Sequence, residues 1–418
     1  MHQKFNPSEK GQAIVYLVLG LVVFLGFVAL AIDGGMALAD RRHAQNGADA
    51  ASLAGGGNAA AYLEDHNDPN LNWSCSDNRV TSSEGIAQHT AKDRAENNGF
   101  IIDYNTSDHN GVVTKCTSIP YGDYTQIYLD VTVDISDTTP SNFLQLISPT
   151  ALHNEVEADT RIYPSDPLGF GNAIVALDPN ACGGNNGAIF SGTGDSKVTG
   201  GGVFTNGCLY GNGRPSVDVE TPYGFNVVGE WIPGNTDWTP DHATNVPNKL
   251  PQNAYYIAPP TCTTWYTEPQ IKALAPNLPS GLYCFKNKVN LGNYDLTGTD
   301  ITFYTESDLI FNGNNHYDLS APTTGALAEV FIYAKNNSGT CTSQTIQLNG
   351  NSDTVFSGII YAPCGEVTMS GTGDITSKIT FNSQIIGWNV KVTGTAQVEI
   401  NYLRDKAMLF PTKIELYR

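Results

Sequence analysis

An apolar run at residues 13–32 limits what this chain can fold into more than any other part of the sequence. It reads AIVYLVLGLVVFLGFVALAI and contains no charged side chain. A helix rises about 1.5 Å per residue, so a run of this length spans about 30 Å, the hydrocarbon thickness of a bilayer. The run therefore predicts a transmembrane helix in contact with membrane lipid, preceded by a short tail at residues 1–12.

Two other interpretations of the run are open. A cleaved signal peptide would use Lys4 and Lys10 as its basic region, and Ala-x-Ala cleavage motifs occur at 29–31 and 37–39. However, the apolar region of a signal peptide usually spans about 7–15 residues, which is shorter than this run. A buried helix of a soluble core is the third interpretation. The length of the run favours an uncleaved anchor.

The cysteines indicate on which side of the membrane the rest of the chain lies. Lys4 and Lys10 precede the apolar run and Arg41 and Arg42 follow it, so the basic residues alone do not set the orientation. All eight cysteines follow the run, with no CxxC motif, which predicts disulfides in an oxidising compartment rather than a zinc site. In sequential order they are Cys75 and Cys116, Cys182 and Cys208, Cys262 and Cys284, and Cys341 and Cys364. Pairing of these sequential neighbours is one hypothesis among the many connectivities that eight cysteines allow. We expect the tail at 1–12 in the cytoplasm and the bulk of the chain in the periplasm or outside the cell.

The composition excludes one class of partner and indicates the kind of structure. The chain carries 41 acidic and 22 basic residues, a formal net charge of −19, so the phosphate backbone repels it and we expect no nucleic-acid partner. Only 15% of the residues are charged, against about 25% in typical soluble domains. Abundant Gly, Asn, Thr and Ser instead indicate short strands joined by tight turns.

Residues 33–165 predict a small membrane-proximal α+β domain with an N-terminal helical extension. Ala44, Ala48 and Ala51 recur at helical spacing, which suits close packing against another element. A solvated stalk helix is the alternative. Three glycines at 55–57 predict the end of this helix. The elements expected after it are a helix at 83–97 capped by Ser83, a strand at 128–135, a short helix at 141–147 and a strand at 153–162.

Residues 166–418 carry a repeated signature, an apolar residue followed by Thr, Ser or Asn, then Gly, and usually Thr or Asn. Its instances begin at Phe190, Leu296, Phe311, Leu348, Met369 and Val392, and the last three are 21 and 23 residues apart. Repeats that cannot bury their own apolar face are typical of stacked coils. We therefore predict a parallel β-solenoid, similar to a right-handed β-helix, with glycines at its corners and Asn and Thr ladders along the stack. An irregular β-sandwich is the alternative. The chain as a whole is expected to be mainly β behind its transmembrane helix.

One stretch, residues 215–285, interrupts the repeated signature and reads as an insertion. It contains a short predicted helix at 268–275 and a concentration of aromatic residues. Exposed aromatic rings offer an apolar face together with a polar edge, which suits recognition of surface glycans. The predicted ligand contacts are Trp231, Trp238, Trp265 and Tyr266.

The N-terminal region is similar to a known family. Residues 11–13 (GQA), the apolar run, residues 33–35 (DGG) and residues 39–55 (ADRRHAQNGADAASLAG) together resemble the N-terminal motif of TadG-like proteins. These are membrane-anchored proteins associated with the tight-adherence (Flp/Tad) pilus machinery. Residues 171–182, GNAIVALDPNAC, and the glycine repeats resemble the solenoid tail of some members. The resemblance implies Tad pilus components as partners.

Two features depart from what the resemblance implies. Pilins are processed after a glycine and place Glu five residues later, whereas here Tyr16 follows Gly11 at that offset, which favours an unprocessed accessory role. Many TadG-like proteins also carry a von Willebrand A domain with a D-x-S-x-S metal site. Asp134, Ser136 and Thr138 match that pattern superficially, but the chain beyond lacks the required alternation of strands and helices. We expect a polar turn there and no metal.

Motifs for catalysis are lacking. The sequence contains no GxSxG, HExxH, Walker A or dinucleotide-binding motif, so we expect neither an enzyme nor a cofactor. Asp195 and Asp374 each follow SGTG, and either corner residues or calcium ligands would occupy such positions. Lys197 and Arg214 are the candidate basic residues of a polysaccharide-active β-helix.

The expected function is that of a membrane-anchored, surface-exposed accessory protein of a Tad/Flp-type pilus, structural or adhesive rather than catalytic. The alternative is an extracellular carbohydrate-binding or polysaccharide-active β-helix protein.

Overall fold

The computed structural model describes residues 12–68, 72–143, 151–182, 186–250, 257–292, 294–312, 315–335, 341, 344–350, 354–371, 373 and 377–417. Its helices are α1 Gln12–Asp65, α2 Asn78–Asn97 and α3 Glu268–Lys272, and short 3-10 turns occupy Leu168–Gly171 and Arg404–Lys406. The first strands are β1 Gly111–Tyr121, β2 Tyr124–Thr139, β3 Leu152–Tyr163, β4 Asp166–Pro167, β5 Ile174–Ala176, β6 Ala188–Gly192, β7 Ser196–Thr199, β8 Val203–Thr205, β9 Leu209–Gly213, β10 Ser216–Val219, β11 Phe225–Val227, β12 Trp231–Ile232, β13 Asp237–Thr239 and β14 Ala243–Asn245. The others are β15 Gly281–Phe285, β16 Val289–Asn290, β17 Leu296–Gly298, β18 Ile301–Thr305, β19 Leu309–Phe311, β20 Tyr317–Ser320, β21 Val330–Ala334, β22 Gln344–Gly350, β23 Thr354–Ser357, β24 Ile359–Gly371, β25 Lys378–Asn382, β26 Ile385–Gly394, β27 Gln397–Asn401, β28 Leu409–Phe410 and β29 Lys413–Leu416. Of the short helix predicted at 141–147, residues 144–147 lie outside the described residues.

Helix α1 continues through the glycines at 55–57, where the sequence predicts its end. That prediction is wrong because these glycines are packing positions. A Cβ atom on Gly55 would lie 2.6 Å from the carbonyl oxygen of Ala87, and one on Gly56 would lie 2.5 Å from Cγ2 of Thr160. Glycine inside a helix costs about 1 kcal/mol, but the missing side chains let α2 and β3 approach α1 closely, and tertiary packing outweighs propensity.

Helix α2 begins five residues before the predicted start at Ser83. Its N-cap is Asp77, whose side chain accepts a hydrogen bond from the backbone N–H of Arg79. Ser83 is instead buried inside the helix, where its hydroxyl donates to the carbonyl oxygen of Val80 at 2.7 Å. Its role as a cap is therefore excluded, since a residue one turn inside the helix has no free backbone N–H groups to satisfy.

The strands β1, β2, β3 and β29 form an antiparallel sheet in that order, which we call the antiparallel sheet. β2 and β3 contain the predicted strands at 128–135 and 153–162, whereas no strand is predicted at β1. Ala44, Ala48 and Ala51 of α1 are buried in one cluster with Val131 and Val133 of β2. The alanine stripe thus packs against the sheet, and α1 is not a solvated stalk at this level.

Two larger sheets, of eight and fifteen strands, form the parallel-sheet region, residues 174–401. Every pair within them is parallel. The hairpin-linked antiparallel strands of a β-sandwich are not what the described residues show. Their shared core contains aromatic rings in contact, such as Phe331, which lies edge-on to Phe303 and tilted against Phe356.

The order of the strands in space differs from their order in the sequence. β5 pairs with β8 on one side and with β26 on the other, and β7 likewise lies between β10 and β27. From this central position the chain proceeds to one edge of the sheets at β13 and β14. It resumes at the opposite edges with β15 and β17 and returns strand by strand to β26 and β27. The first and last strands of the region are therefore neighbours in the middle of both sheets.

Residues 216–245 belong to these sheets, although the sequence places them in an insertion at 215–285. They contribute β10 to β14 and bury side chains such as Val217 and Val219. After β14, the described residues 246–250 and 257–280 lie outside the two sheets. This segment contains α3, which covers only part of the helix predicted at 268–275.

Glycines of the repeated signature stack on one another across the larger sheet. Gly371 is in register with Gly394, and Gly192 is in register with Gly213, a glycine outside the signature. At Gly394, φ is +122° and a Cβ atom would lie 2.2 Å from the carbonyl oxygen of Gly371; at Gly192, φ is +97° and the corresponding distance to Gly394 is also 2.2 Å. Only glycine combines a left-handed conformation with so close an approach. This glycine ladder continues across the place where the first and last strands meet.

Polar side chains form a second ladder on the smaller sheet. The hydroxyl of Thr199 donates to Oδ1 of Asn401 at 2.8 Å. Nδ2 of Asn401 donates to Oδ1 of Asn382 at 3.1 Å, and Nδ2 of Asn382 donates to Oγ of Ser357 at 3.2 Å. The four residues occupy matching positions on β7, β27, β25 and β23. Asn and Thr thus form a ladder along the stack, as predicted.

The cysteines form disulfides between sequential neighbours. The bonds are Cys75–Cys116, Cys182–Cys208, Cys262–Cys284 and Cys341–Cys364. The first ties the start of α2 to β1, and the third fixes the segment 257–280 to the edge strand β15. Such cross-links reduce the conformational freedom of the unfolded chain, by about 3 kcal/mol for loops of this size.

Both ends of the parallel-sheet region return to the antiparallel sheet. β3 leads into β4, which pairs with β28, and β29 then joins the edge of β3. Side chains also bridge the two: Nδ2 of Asn248 donates to the carbonyl oxygen of Pro120 at 3.1 Å, and Asp123 accepts from Nδ2 of Asn226 at 2.9 Å. Two chain crossings and these hydrogen bonds join the regions.

Candidate functional site

Helix α1 divides at Asp33 into an apolar half that is exposed all round and a second half that buries one face from Ala44 onward. The large apolar side chains between Ile14 and Ile32 are 39–72% exposed. Within the described ranges, α1 is the helix that is long and apolar enough to cross a membrane. Beyond Asp33 the helix packs under the antiparallel sheet. A continuous apolar surface of this size is unfavourable in water, so the first half requires an apolar environment.

Asp33 marks the boundary between these halves and ties them to the end of β2. Its side chain is only 2% exposed. Its carboxylate accepts hydrogen bonds from the backbone N–H groups of Asn142 and Phe143, both at 3.0 Å. A buried carboxylate is tolerated when it is hydrogen-bonded, and bonds to an ionised acceptor are stronger than neutral ones. The chain after β2 is therefore held at the level of the last apolar turn.

A groove of about 330 Å³ lies at this boundary. Apart from Asp33, the described residues that line it are all apolar, and they are Val23, Gly26, Phe27, Ala29, Leu30 and Phe143. The ring of Phe143 is 42% exposed. The groove thus lies between one face of the apolar half of α1 and the side chain of Phe143, in the segment after β2.

A second cleft, of about 550 Å³, lies between the antiparallel sheet and the two segments that connect it to the parallel-sheet region. Aromatic rings from both sides line it, among them Tyr121, Phe170 and Phe410, with Asp166 as a buried acid. Asp166 accepts from the hydroxyl of Tyr124 at 2.5 Å and from Nε2 of Gln126 at 2.8 Å. The cleft is a joint between the two regions, built around one carboxylate.

The environment of Asp166 in this joint raises the pKa of its carboxyl group. Burial raises the pKa of Asp166 from its usual range to about 6, and the hydrogen bonds from Tyr124 and Gln126 oppose this rise only in part. Loss of hydration disfavours the charged form of a buried carboxyl group. The joint therefore changes its charge in a mildly acidic range of pH.

A row of charged side chains crosses the eight-stranded sheet. Lys197 of β7 is in register with Asp218 of β10 on one side and with Glu399 of β27 on the other. Lys378 forms an ion pair with Glu399. These residues and Asp195 line a groove of about 270 Å³. The sequence does not reveal acids beside Lys197, because the strands that carry them are remote along the chain.

The other candidate residues of a polysaccharide site are not brought to this groove. Arg214 follows β9, where its backbone N–H donates to the carbonyl oxygen of Gly192 at 2.9 Å. Asp374, a predicted calcium ligand or corner residue, lies outside the described residues. In the described part of the chain, no group of three or more His, Cys, Asp or Glu side chains is placed to hold a metal ion.

Asp134, Ser136 and Thr138 lie within β2, which continues to Thr139. The polar turn expected there is wrong, because the strand pairs with β3 along this whole stretch. Ser136 contacts Nε2 of His153 at 3.0 Å across that pair.

The four predicted aromatic contacts lie at opposite edges of the parallel-sheet region. Trp231 and Trp238 are on β12 and β13, with ring centroids 6.2 Å apart, and Trp238 is only 6% exposed. Trp265 bridges to the edge strand β15 and is 40% exposed, and Tyr266 stands beside it in sequence. The two pairs are far apart because β13 and β15 are edge strands at opposite ends of the region. The structure does not bring the four side chains together, and ligand contact stays a prediction.

The N-terminal helix is also the part of the chain that comparison with known proteins identifies. Residues 11–61 match the family model described as "Putative Flp pilus-assembly TadE/G-like". No curated protein and no solved structure shows significant similarity to the chain. The matched residues coincide with α1 up to its last turn, and they include both the apolar half and the half that packs under the sheet.

Proposed function

We propose that this chain is a membrane-anchored accessory protein of a Tad/Flp-type pilus system, with a structural or adhesive role at the cell surface. The observation that carries the proposal is the family match at residues 11–61 on a helix whose first half is apolar and exposed. An amphipathic core helix would bury its apolar side chains, whereas this half exposes them all round. Membrane lipid and pilus components are the proposed partners.

The proposed orientation places residues 1–12 in the cytoplasm and the rest of the chain in the periplasm or outside the cell. The four disulfides support it, since such bonds persist in oxidising compartments. Tyr16 at the fifth position after Gly11 supports an anchor that is not processed as a pilin.

We also propose that the parallel-sheet region is a β-solenoid that serves for display rather than catalysis. Its parallel strands, its glycine ladder and its Asn and Thr ladder are the features of stacked coils. A rigid, acidic and disulfide-bonded stack suits a spacer or an adhesive surface.

Carbohydrate recognition at this region is the second candidate function. The charged row at Lys197, Asp218 and Glu399 favours it, because closely spaced carboxylates and amines can bind several sugar hydroxyls at once. The exposed ring of Trp265 lies at the edge of the region and offers a separate surface for stacking.

Cell fractionation combined with N-terminal sequencing tests the main proposal. Membranes and sheared pili are separated, and the protein is identified in each fraction. We expect an intact N-terminus in the membrane fraction and protease sensitivity of the bulk of the chain from the periplasmic side. A mature form that starts at Gln12 in sheared pili would overturn the anchor.

Binding to immobilised glycans, measured with the Lys197→Ala and Trp265→Ala variants of the full chain, tests the second candidate. Lower binding by either variant, with unchanged folding, supports it. Equal binding by both variants and the parent protein contradicts it.

A further inference from the structure

We propose that the segment just after β2 is a second membrane contact, in which Phe143 inserts between lipid acyl chains beside α1 and Asp33 holds it at that depth. The inference rests on the proposed anchoring role of α1. It adds a lipid-facing element that lies more than a hundred residues away from the anchor along the chain.

Depth along α1 is the first argument. Phe143 shares its groove with Val23, Phe27 and Leu30, which precede Asp33 by three to ten residues. At about 1.5 Å per residue these positions lie about 5–15 Å below Asp33 along the helix axis. If the apolar run fills the hydrocarbon core, a ring that contacts this part of α1 lies below the membrane surface.

Hydrogen bonding is the second argument. Backbone N–H groups are costly in lipid unless they are satisfied within the protein. The carboxylate of Asp33 accepts from the N–H groups of both Asn142 and Phe143, at the level where β2 ends. These two N–H groups are thus satisfied by α1 itself, and the exposed side chains beside them are the ring of Phe143 and the amide of Asn142, whose Nδ2 contacts Sδ of Met36 at 3.3 Å.

The shape of the groove identifies its occupant. A Cβ atom on Gly26 would meet no other atom within 4 Å, so the groove is open beside the helix. The groove is continuous with the exposed apolar surface of residues 13–32, which the anchor places in lipid. An acyl chain matches this lining, since among the described residues Asp33 is the one polar member and is already hydrogen-bonded.

Photo-crosslinking in proteoliposomes tests the proposal on the full-length chain. The photoreactive amino acid p-benzoyl-phenylalanine replaces Phe143 in one variant, Leu25 in a second and Trp265 in a third. Leu25 lies inside the apolar run, and Trp265 is a matched control because its 40% exposure is close to the 42% of Phe143. After irradiation in vesicles of phosphatidylethanolamine and phosphatidylglycerol, lipid adducts are quantified by mass spectrometry.

We expect lipid adducts at positions 25 and 143 and none at 265. Adducts at 25 without adducts at 143, or crosslinks from 143 to protein alone, would overturn the inference and leave the anchor intact. Failure of position 25 to react with lipid would overturn the anchoring role and the inference with it.

The Asp33→Ala change separates positioning from general folding. Loss of hydrogen bonds to a charged acceptor is expected to lower the yield of lipid adducts at 143 about tenfold. The yield at position 25 is expected to stay constant, because that residue does not depend on the end of β2. Equal yields at 143 with and without Asp33 would contradict the positioning role.

Discussion

Oγ1 of Thr199 donates a 2.8 Å hydrogen bond to Oδ1 of Asn401, across 202 residues of sequence. The bond joins the early strand β7 of the parallel-sheet region to its last strand, β27. The two halves of the region therefore form one continuous stack whose chain ends meet in the middle. In a stack that followed the sequence, the last strand would lie at an end and would have only one neighbour.

The central position of the last strands predicts an unusually large effect of truncation. Removal of residues 385–418 deletes β26 to β29, and of these β26 and β27 pair β5 and β7 with the rest of the stack. We expect the fragment at 174–245 to become protease-sensitive, since both sheets gain unpaired edges. Limited proteolysis followed by mass spectrometry measures this.

Removal of residues 413–418 is the control for that truncation, because it deletes only the edge strand β29. Its parallel-sheet region should keep the protease resistance of the parent protein. Resistance of 174–245 in the larger truncation would contradict the central placement.

The glycine ladder predicts a large loss of stability for Gly394→Ala. The new Cβ atom would lie 2.2 Å from the carbonyl oxygen of Gly371, at a φ of +122°. Overpacking and backbone strain together should lower the free energy of unfolding by about 2–4 kcal/mol. Gly325→Ala is the matched control, since φ there is +93° but no atom lies within 4 Å, and about 1 kcal/mol is expected. Denaturant unfolding in detergent micelles compares them, and equal losses would contradict a steric ladder.

The buried acid at the joint predicts that stability falls as the pH rises from about 4 to about 6. The pKa of Asp166 is raised to about 6 in the folded protein, from 3.8 in the unfolded chain. The folded state binds more protons in this window, so ionisation removes up to about 3 kcal/mol of stability. Asp166→Asn should abolish this part of the pH dependence because an amide does not ionise, and its oxygen can still accept the hydrogen bond from Tyr124. Thermal unfolding at a series of pH values measures the slope, and an equal slope in both proteins would contradict the prediction.

Different outcomes are predicted for two of the tryptophans. Trp238 is buried with its ring edge-on to Phe225 at a centroid distance of 5.0 Å, so Trp238→Ala should destabilise the fold by about 3–5 kcal/mol. Trp265→Ala should change stability much less, since its ring is partly exposed. Thermal unfolding measures both, and equal losses would contradict these placements.

Local patterns in the sequence determined the elements of this protein. The length of the apolar run predicts the exposed half of α1, the spacing of Ala44, Ala48 and Ala51 predicts its buried stripe, and the repeated glycines predict the corners of parallel strands. These features depend on residues close together along the chain, where rise, periodicity and allowed φ values act directly.

Only the tertiary structure decided which elements become neighbours. It carries α1 through the glycines at 55–57, places Lys197 between Asp218 and Glu399, and sends the predicted aromatic contacts to opposite edges. The repeats resemble one another, so any two of them offer compatible strand edges, and local sequence does not specify the order of stacking. That order depends on long-range contacts, such as the bond between Thr199 and Asn401, which form only when the chain ends meet.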